Sequence, residues 1–120
     1  MRSNLNAGQL SDGRVFLAWN GVPRPHVNDS ASCGSGATAL RNPLTLAISS
    51  DGGADFDRAY ALFNCTTPKR FCGSAKPFGP SYPQAREVVS ASEGLDGLWV
   101  VYSINKEDIG VSFAPRASLR

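Results

Sequence analysis

The segment 49-SSDGGADF-56 lies between two apolar runs, and its structure decides how the flanking residues fold. Such a run of aspartates and glycines is compatible with a calcium loop, a tight turn or part of an active site. An EF-hand loop that begins at Asp51 would need glycine at its sixth position and glutamate at its twelfth. Those positions hold Phe56 and Leu62, so the calcium interpretation fails.

A hairpin turn fits the segment better. The side chains of Ser49 and Asp51 can accept hydrogen bonds from backbone N–H groups of the turn, and Gly52 and Gly53 permit positive φ. Phe56 is then expected to fold back onto the core. The segment therefore predicts a structural turn between two strands.

The residues around this turn have the pattern of short strands. In 43-PLTLAIS-49, Leu44, Leu46 and Ile48 alternate with smaller or polar residues, which is the period of a strand. No window of twelve or more residues combines a helical period with caps, so no helix is predicted. Comparable runs occur at 14–19, 58–64, 86–91, 97–103 and 108–114.

The segments between these runs complete an all-β prediction. Residues 20–40 and 65–83 are rich in glycine, proline and polar residues, and they are predicted to be long irregular loops, which are often functional. Trp19 and Trp99 end or interrupt apolar runs and are predicted to lie in the core.

The composition indicates one globular domain. The 120 residues are 42% hydrophobic and 18% charged, with a formal net charge of +2, which excludes a disordered chain and a polybasic nucleic-acid binder. No segment approaches the roughly 18 apolar residues of a membrane span. Residues 1–14 lack the apolar core of a signal peptide, so either the protein is cytoplasmic or its N-terminus lies upstream.

The cysteines and the histidine do not predict a metal site. Cys33, Cys65 and Cys72 form no CxxC pair, and His26 is the only histidine, which leaves too few ligands for zinc. A disulfide between Cys65 and Cys72 is sterically possible, and free thiols remain the simpler alternative. Two N-x-S/T sequons begin at residues 28 and 64.

Ser49-x-Asp51-x-Gly53-x-Asp55-Phe56 resembles the Asp box, the bacterial neuraminidase repeat of sialidases, although Asp55 stands where threonine is usual. In that family the box forms the turn between the third and fourth strands of a propeller blade. The flanking segments also resemble sialidases, and together they cover roughly residues 10 to 114. They are 41-RNPLTLAISSDGGADF-56, 79-GPSYPQAREVVSASEGLDGLWVVYS-103 and 102-YSINKEDI-109.

This resemblance implies about two four-stranded antiparallel blades of a six-bladed β-propeller. The first, with the Asp box, would span 1–64, and the second, with a long connecting loop, would span 65–120. Two blades cannot close a ring, so the chain is expected to be the C-terminal part of a longer propeller. The family also favours a secreted or extracytoplasmic location.

The resemblance also assigns candidate site residues. Arg41 lies where sialidases place the third arginine that binds the carboxylate of sialic acid, and Tyr82 lies where they place the nucleophilic tyrosine. Asn20, Lys76 and Lys106 are candidates to line the same pocket. The remaining catalytic residues of the family come from earlier blades, and no residue of this chain stands in a matching motif for them.

Two functions follow as hypotheses. The first is part of a sialidase-like glycoside hydrolase that acts on an acidic glycan through Tyr82, inactive as an isolated fragment and without a cofactor. The second is a non-catalytic Asp-box propeller segment that binds glycans or completes a scaffold. The turn at Lys106, Glu107 and Asp108 is predicted to be solvated.

Overall fold

The computed structural model describes residues 5–20, 26–28, 37–39, 41–64, 70–71, 79–92 and 94–119. These residues form nine strands and one short 3₁₀ helix, Arg116–Leu119, so the predicted all-β class is confirmed. The strands are β1 (Asn6–Gln9), β2 (Val15–Asn20), β3 (His26–Asn28), β4 (Ala37–Ala39), β5 (Leu44–Ser49), β6 (Arg58–Phe63), β7 (Pro80–Val88), β8 (Gly97–Ile104) and β9 (Asp108–Pro115).

The strands form two main antiparallel sheets. The first has the order β1-β2-β5-β6, and the second has the order β7-β8-β9, while β3 and β4 pair with each other. Five strands, β2, β5, β6, β8 and β9, lie where the apolar runs predicted them, and β7 begins six residues before its predicted run 86–91. The strand β1 escaped prediction because its residues, NAGQ, carry no apolar alternation.

Both predicted loops need correction. The segment 20–40 contains the pair β3 and β4, and the segment 65–83 ends inside β7, which begins at Pro80. Proline and glycine in 79-GPSYP-83 suggested a loop, but Pro80 occupies the first position of its strand and Pro83 lies in a bulge. Both are places where a missing N–H is tolerated.

Inward-facing side chains of the two sheets make one core. Strands β2 and β5 contribute Phe16 and four other buried residues, and β8 contributes alternate residues of its length. A buried leucine from each end of the chain completes the cluster. Its fully or nearly fully buried members are Leu10, Phe16, Ala18, Leu44, Leu46, Ile48, Leu98, Val100, Tyr102 and Leu119.

The tryptophans are not core residues as predicted, because both are only partly buried. Trp99 alternates with Leu98 and Val100, which face the core, so its ring lies on the opposite face of the sheet. There it stacks on Phe113, with ring centroids 4.4 Å apart.

Strand β7 is tied to the first sheet along its length. The backbone N–H of Ala85 donates to Oδ1 of Asn6 (2.9 Å), and the backbone N–H of Ser11 donates to Oε1 of Glu87 (2.7 Å). Arg116 also pairs with Glu87, at 3.1 Å. The two hydrogen bonds join the second sheet to the first, and Arg116 of the 3₁₀ helix holds Glu87 in place.

The segment 49-SSDGGADF-56 forms the predicted turn between β5 and β6. The backbone N–H of Gly53 donates to Oγ of Ser49 (2.9 Å), and that of Asp55 donates to Oδ1 of Asp51 (2.9 Å). The φ angles of Gly52 and Gly53 are 78° and 96°. The hydrogen bonds from the Asp55 N–H and then from Ser49 lower the pKa of Asp51 below its ordinary value.

Phe56 departs from its predicted position. It is 36% exposed and is not a member of the core cluster, because residues 55–57 lie beyond the end of the sheet before β6 begins. The turn is therefore held by its polar side chains.

We predict that Ser49→Ala lowers the free energy of unfolding by about 1–2 kcal/mol, since it removes the buried hydroxyl that accepts from the turn. Ser50→Ala is the matched control, because Ser50 is the exposed neighbour and should change stability by less than about 0.5 kcal/mol. Urea denaturation of both variants measures the difference. Equal stability of the two variants would contradict this account of the turn.

Candidate functional site

One side-chain amide joins the two sheets at the end opposite the turn at residues 49–56. Nδ2 of Asn20, the last residue of β2, donates to the carbonyl oxygens of Arg41 (2.9 Å) and Pro80 (3.0 Å). Arg41 leads into β5, and Pro80 begins β7. The predicted pocket residue Asn20 therefore positions two backbone segments through the donor nitrogen of its amide.

A second contact holds the turn between β8 and β9 at the same place. The backbone N–H of Gly79 donates to Oδ1 of Asn105 (2.8 Å), and the backbone N–H of Asn105 donates to the carbonyl of Gly79 (3.0 Å). Asn105 is only 2% exposed. Its side chain thus serves as a buried link between a turn and the start of β7.

Gly79 is required by the close approach of two backbones. Its φ is +111°, and a Cβ atom there would lie 2.9 Å from the carbonyl oxygen of Arg41. Any side chain would push the Arg41 segment away from β7. We call the contacts of Asn20, Arg41, Gly79, Pro80 and Asn105 the seam.

The turn that follows Asn105 presents Lys106. Asn105 and Lys106 both have a φ of 55°, and the backbone N–H of Glu107 donates to the carbonyl of Ile104 (2.9 Å). Two consecutive residues with positive φ are typical of the type I′ turns that join neighbouring strands. The geometry of the turn therefore fixes where the lysine side chain begins.

Tyr82 lies in a bulge of β7. Ser81 pairs with Ser103 and Gln84 with Val101, so Tyr82 and Pro83 together face a single residue of β8. Tyr82 has a φ of 56° and is 41% exposed, while Ser81 is buried. Positive φ is uncommon for a bulky residue and costs about 1–3 kcal/mol, and bulges often re-aim a side chain.

Two cations lie against the Tyr82 side chain. Nζ of Lys106 is 5.4 Å from the ring centroid, and Cζ of Arg41 is 5.6 Å from it. A hydrogen bond and the charge of Lys106, followed by the same interactions with Arg41, hold the pKa of the Tyr82 phenol below its ordinary value of 10.0. The phenol oxygen is therefore in a positive environment that favours its ionised form.

Arg41 retains a donor for a ligand. Its Nη1 atom is buried and has no hydrogen-bond partner among the described residues, and the same holds for Oδ1 of the adjacent Asn42. A buried guanidinium nitrogen without an acceptor is costly, and a carboxylate would satisfy it in the geometry that arginine binds best. The guanidinium group of Arg41 is therefore the group of the site best suited to an acidic ligand.

The sequence-predicted residues are distributed as follows. Tyr82, Arg41 and Lys106 come together, and Asn20 lies behind them in the seam. The residues predicted to form a structural Asp box, Ser49, Asp51, Gly53 and Phe56, lie at or beyond the opposite end of β5. Lys76, Cys33, Cys65 and Cys72 lie outside the described residues.

The prediction of a solvated turn is wrong for Glu107. Its side chain is 3% exposed, and its carboxylate accepts hydrogen bonds from the backbone N–H groups of Arg70 (2.9 Å) and Phe71 (2.7 Å). The neighbouring Asp108 does face solvent and pairs with Arg70 at 2.9 Å. The acidic residues of this turn thus anchor residues 70–71 beside the site.

The acid and arginine near the N-terminus do not reach the site. Asp12 and Arg14 pair with each other at 2.8 Å, and the hydrogen bonds from Arg14 lower the pKa of Asp12. They precede β2, whereas Asn20 ends that strand. They are therefore at the Asp-box end of the sheet.

Sequence reasoning missed Gly79 and Asn105. The available signals were a glycine that directly precedes the Pro80 segment and an asparagine in the polar link between two strands. Both residue types favour positive φ, but the contact between them joins positions far apart in the chain.

The comparisons with known proteins give no family for the chain. It matches no protein-family model, no curated protein and no solved structure. Within the part of the chain that the structure describes, no helix is long and apolar enough to cross a membrane. The same residues contain no group of three or more histidine, cysteine or acidic side chains that could hold a metal ion.

We predict that Asn20→Ala destabilises the chain by about 1–3 kcal/mol, because two carbonyl groups of the seam lose their donor. Asn64→Ala is the control: Asn64 is exposed, and its side chain accepts one hydrogen bond, from Asn42 (3.0 Å). Thermal or urea denaturation compares the two variants. A smaller loss for Asn20→Ala than for Asn64→Ala would contradict the role given to Asn20.

Proposed function

We propose that this chain supplies part of the active site of a sialidase-like glycoside hydrolase, with Tyr82 as nucleophile and Arg41 as a ligand of the substrate carboxylate. The observation that carries the proposal is the bulge that holds the Tyr82 phenol against Lys106 and Arg41. An exposed, strained tyrosine whose pKa is lowered by two cations is suited to nucleophilic chemistry.

The chemistry of an acidic sugar explains why a phenol is used. The anomeric carbon of a sialoside carries a carboxylate, which repels a carboxylate nucleophile; a tyrosine oxygen flanked by two cations approaches it with less net repulsion. Arg41 would bind the carboxylate of the sugar, and its unpartnered Nη1 supplies a donor for that contact. The side chain that binds the sugar, Arg41, and the side chain that attacks it, Tyr82, would then lie next to each other.

The proposed step balances as follows. The Tyr82 oxygen loses its proton to solvent and forms a bond to the anomeric carbon, while the bond to the aglycone oxygen breaks and its electron pair leaves with the aglycone. A carboxylic acid from outside the described residues protonates that oxygen. Water then releases the sugar from Tyr82 and restores the phenol.

The sheet topology supports an interpretation of the two sheets as neighbouring propeller blades. The Asp-box turn joins the third and fourth strands of the first sheet, which is where the resemblance expects it. The second sheet has three described strands, and two blades leave edges that further blades would cover. A complete site on this proposal needs residues from those blades.

A non-catalytic role in binding acidic glycans is the second candidate. The charged groups that act on the Tyr82 phenol among the described residues are both cations, Lys106 and Arg41. Two cations beside an exposed aromatic ring would bind an acidic sugar without cleaving it. This candidate predicts binding by the chain and no turnover in any longer form.

The proposal predicts that Tyr82→Phe reduces hydrolysis of a fluorogenic sialoside by at least about 1,000-fold in a propeller that completes this sequence with further blades, because the nucleophile is lost. The 120-residue chain alone should show no turnover. Unchanged turnover in Tyr82→Phe would refute Tyr82 as the nucleophile, and robust turnover by the chain alone would refute the need for further blades.

Binding of the sugar separates the two candidates. N-acetylneuraminic acid should bind the wild type more tightly than its methyl ester does, and Arg41→Met should abolish that preference. Arg58→Met is the control, since Arg58 is an exposed cation at the Asp-box end of β6. Binding with this preference but no turnover in the longer protein would favour the non-catalytic role. Equal binding of acid and ester would contradict both.

A further inference from the structure

We propose that Lys106 is a catalytic residue whose ammonium group stabilises the phenolate of Tyr82, so that a cation activates the nucleophile in place of a carboxylate base. The catalytic meaning of this pair rests on the proposed function. The pairing itself is a property of the chain and can be tested without a substrate.

The backbone conformation fixes where the side chains of Tyr82 and Lys106 begin. Tyr82 and Lys106 have φ angles of 56° and 55°, in two different segments that the seam joins. Asn105, the residue before Lys106, is linked to Gly79, three residues before Tyr82, by two backbone-involving hydrogen bonds. Positive φ is uncommon for a bulky residue such as Tyr82, and the type I′ turn fixes where the Lys106 side chain begins, so the backbone holds the two side chains at one junction.

Both charged side chains that lie against the Tyr82 ring among the described residues are cations. Lys106 approaches from the turn between β8 and β9, and Arg41 approaches from the segment before β5. The residues beside Tyr82 on β7, from Ser81 to Gln84, are uncharged. The nearby carboxylate of Glu107 accepts hydrogen bonds from the backbone of residues 70–71.

Ionisation then needs no acceptor other than water. The O–H bond of Tyr82 breaks, the proton passes to solvent, and the phenolate remains hydrogen-bonded to a lysine that keeps its own three protons. Lys106 lowers the pKa of Tyr82 more than Arg41 does. Because the folded-state pKa is lowered, ionised Tyr82 stabilises the fold above the ordinary tyrosine pKa, and this contribution is lost as pH falls through the lowered value.

The test is a pH titration of the tyrosine ring carbons by NMR on the 120-residue chain. The chain has three tyrosines, Tyr60, Tyr82 and Tyr102, and the Tyr82→Phe variant identifies the resonance of Tyr82. Tyr82 is expected to titrate below an ordinary tyrosine. Lys106→Met should move that midpoint upward, and Lys106→Arg should restore it in part, because the cation is retained.

Two controls keep the outcome interpretable. Arg58→Met removes a cation at the far end of β6 and should leave the Tyr82 midpoint unchanged. The second control is the wild type in 1 M salt, where the Debye length is about 3 Å. Salt should screen the two cations and raise the Tyr82 midpoint, because Tyr82 is partly exposed. A Tyr82 midpoint that is the same in Lys106→Met and in the wild type would overturn the proposal.

Turnover in a propeller completed with further blades distinguishes this inference from the proposed function. If Lys106 activates the nucleophile, Lys106→Met should shift the rising limb of the pH profile of kcat to higher pH, and Lys106→Arg should shift it less. Loss of turnover at every pH without such a shift would overturn the activating role. A raised Tyr82 midpoint in Lys106→Met with unchanged turnover in Tyr82→Phe would refute the proposed function and leave the pair intact.

Discussion

The close approach of Gly79 to the backbone of Arg41 is the constraint on which the candidate site depends. A Cβ atom at Gly79 would lie 2.9 Å from the Arg41 carbonyl oxygen, so the two segments can meet only through glycine. Asn20 then donates to both segments, and Asn105 links the next turn to the same glycine. These contacts are made by the backbone and by amide side chains. They therefore bring together the side chains of Arg41, Tyr82 and Lys106, which are distant in the sequence, without using the functional atoms of those side chains.

The sheet separates structural and chemical roles along a single strand. The last residue of β5, Ser49, begins the turn that is held by its own hydroxyl and by Asp51, while Arg41 lies just before the start of the same strand. The acidic residues of the turn therefore serve the local fold. Positive charge gathers at the other end, where Lys106 and Arg41 contact the Tyr82 ring. The segment 49–56 is rich in aspartate and glycine, yet it lies at the end of the sheet that is distant from Tyr82.

Periodicity predicted the all-β class and five of the strands, since alternating burial is a local property of the chain, but it placed the start of β7 too late. It also predicted the turn at Ser49, because its donors and acceptors lie within a few residues. It could not predict the bulge at Tyr82 or the contact of Gly79 with Asn105, which depend on residues distant in sequence. The family resemblance suggested Arg41 and Tyr82 as site residues, and the structure brings these two side chains together. It also assigned Asn20 to the pocket, where the structure gives it a backbone-positioning role. Glu107 was predicted to lie in solvent, because no neighbouring residue in the sequence indicates that its carboxylate accepts hydrogen bonds from the N–H groups of residues 70–71.

The most direct test of this account is the pKa of Tyr82 in the Asn20→Ala variant, measured by NMR on folded protein whose near-UV circular dichroism matches the wild type. Asn20 is linked to the site through backbone carbonyls, so its removal can change the phenol only by loosening the seam. If the seam positions the cations, the Tyr82 pKa will rise toward its ordinary value in this variant. A Tyr82 pKa identical to that of the wild type would contradict the central claim that the junction of the two sheets creates the site.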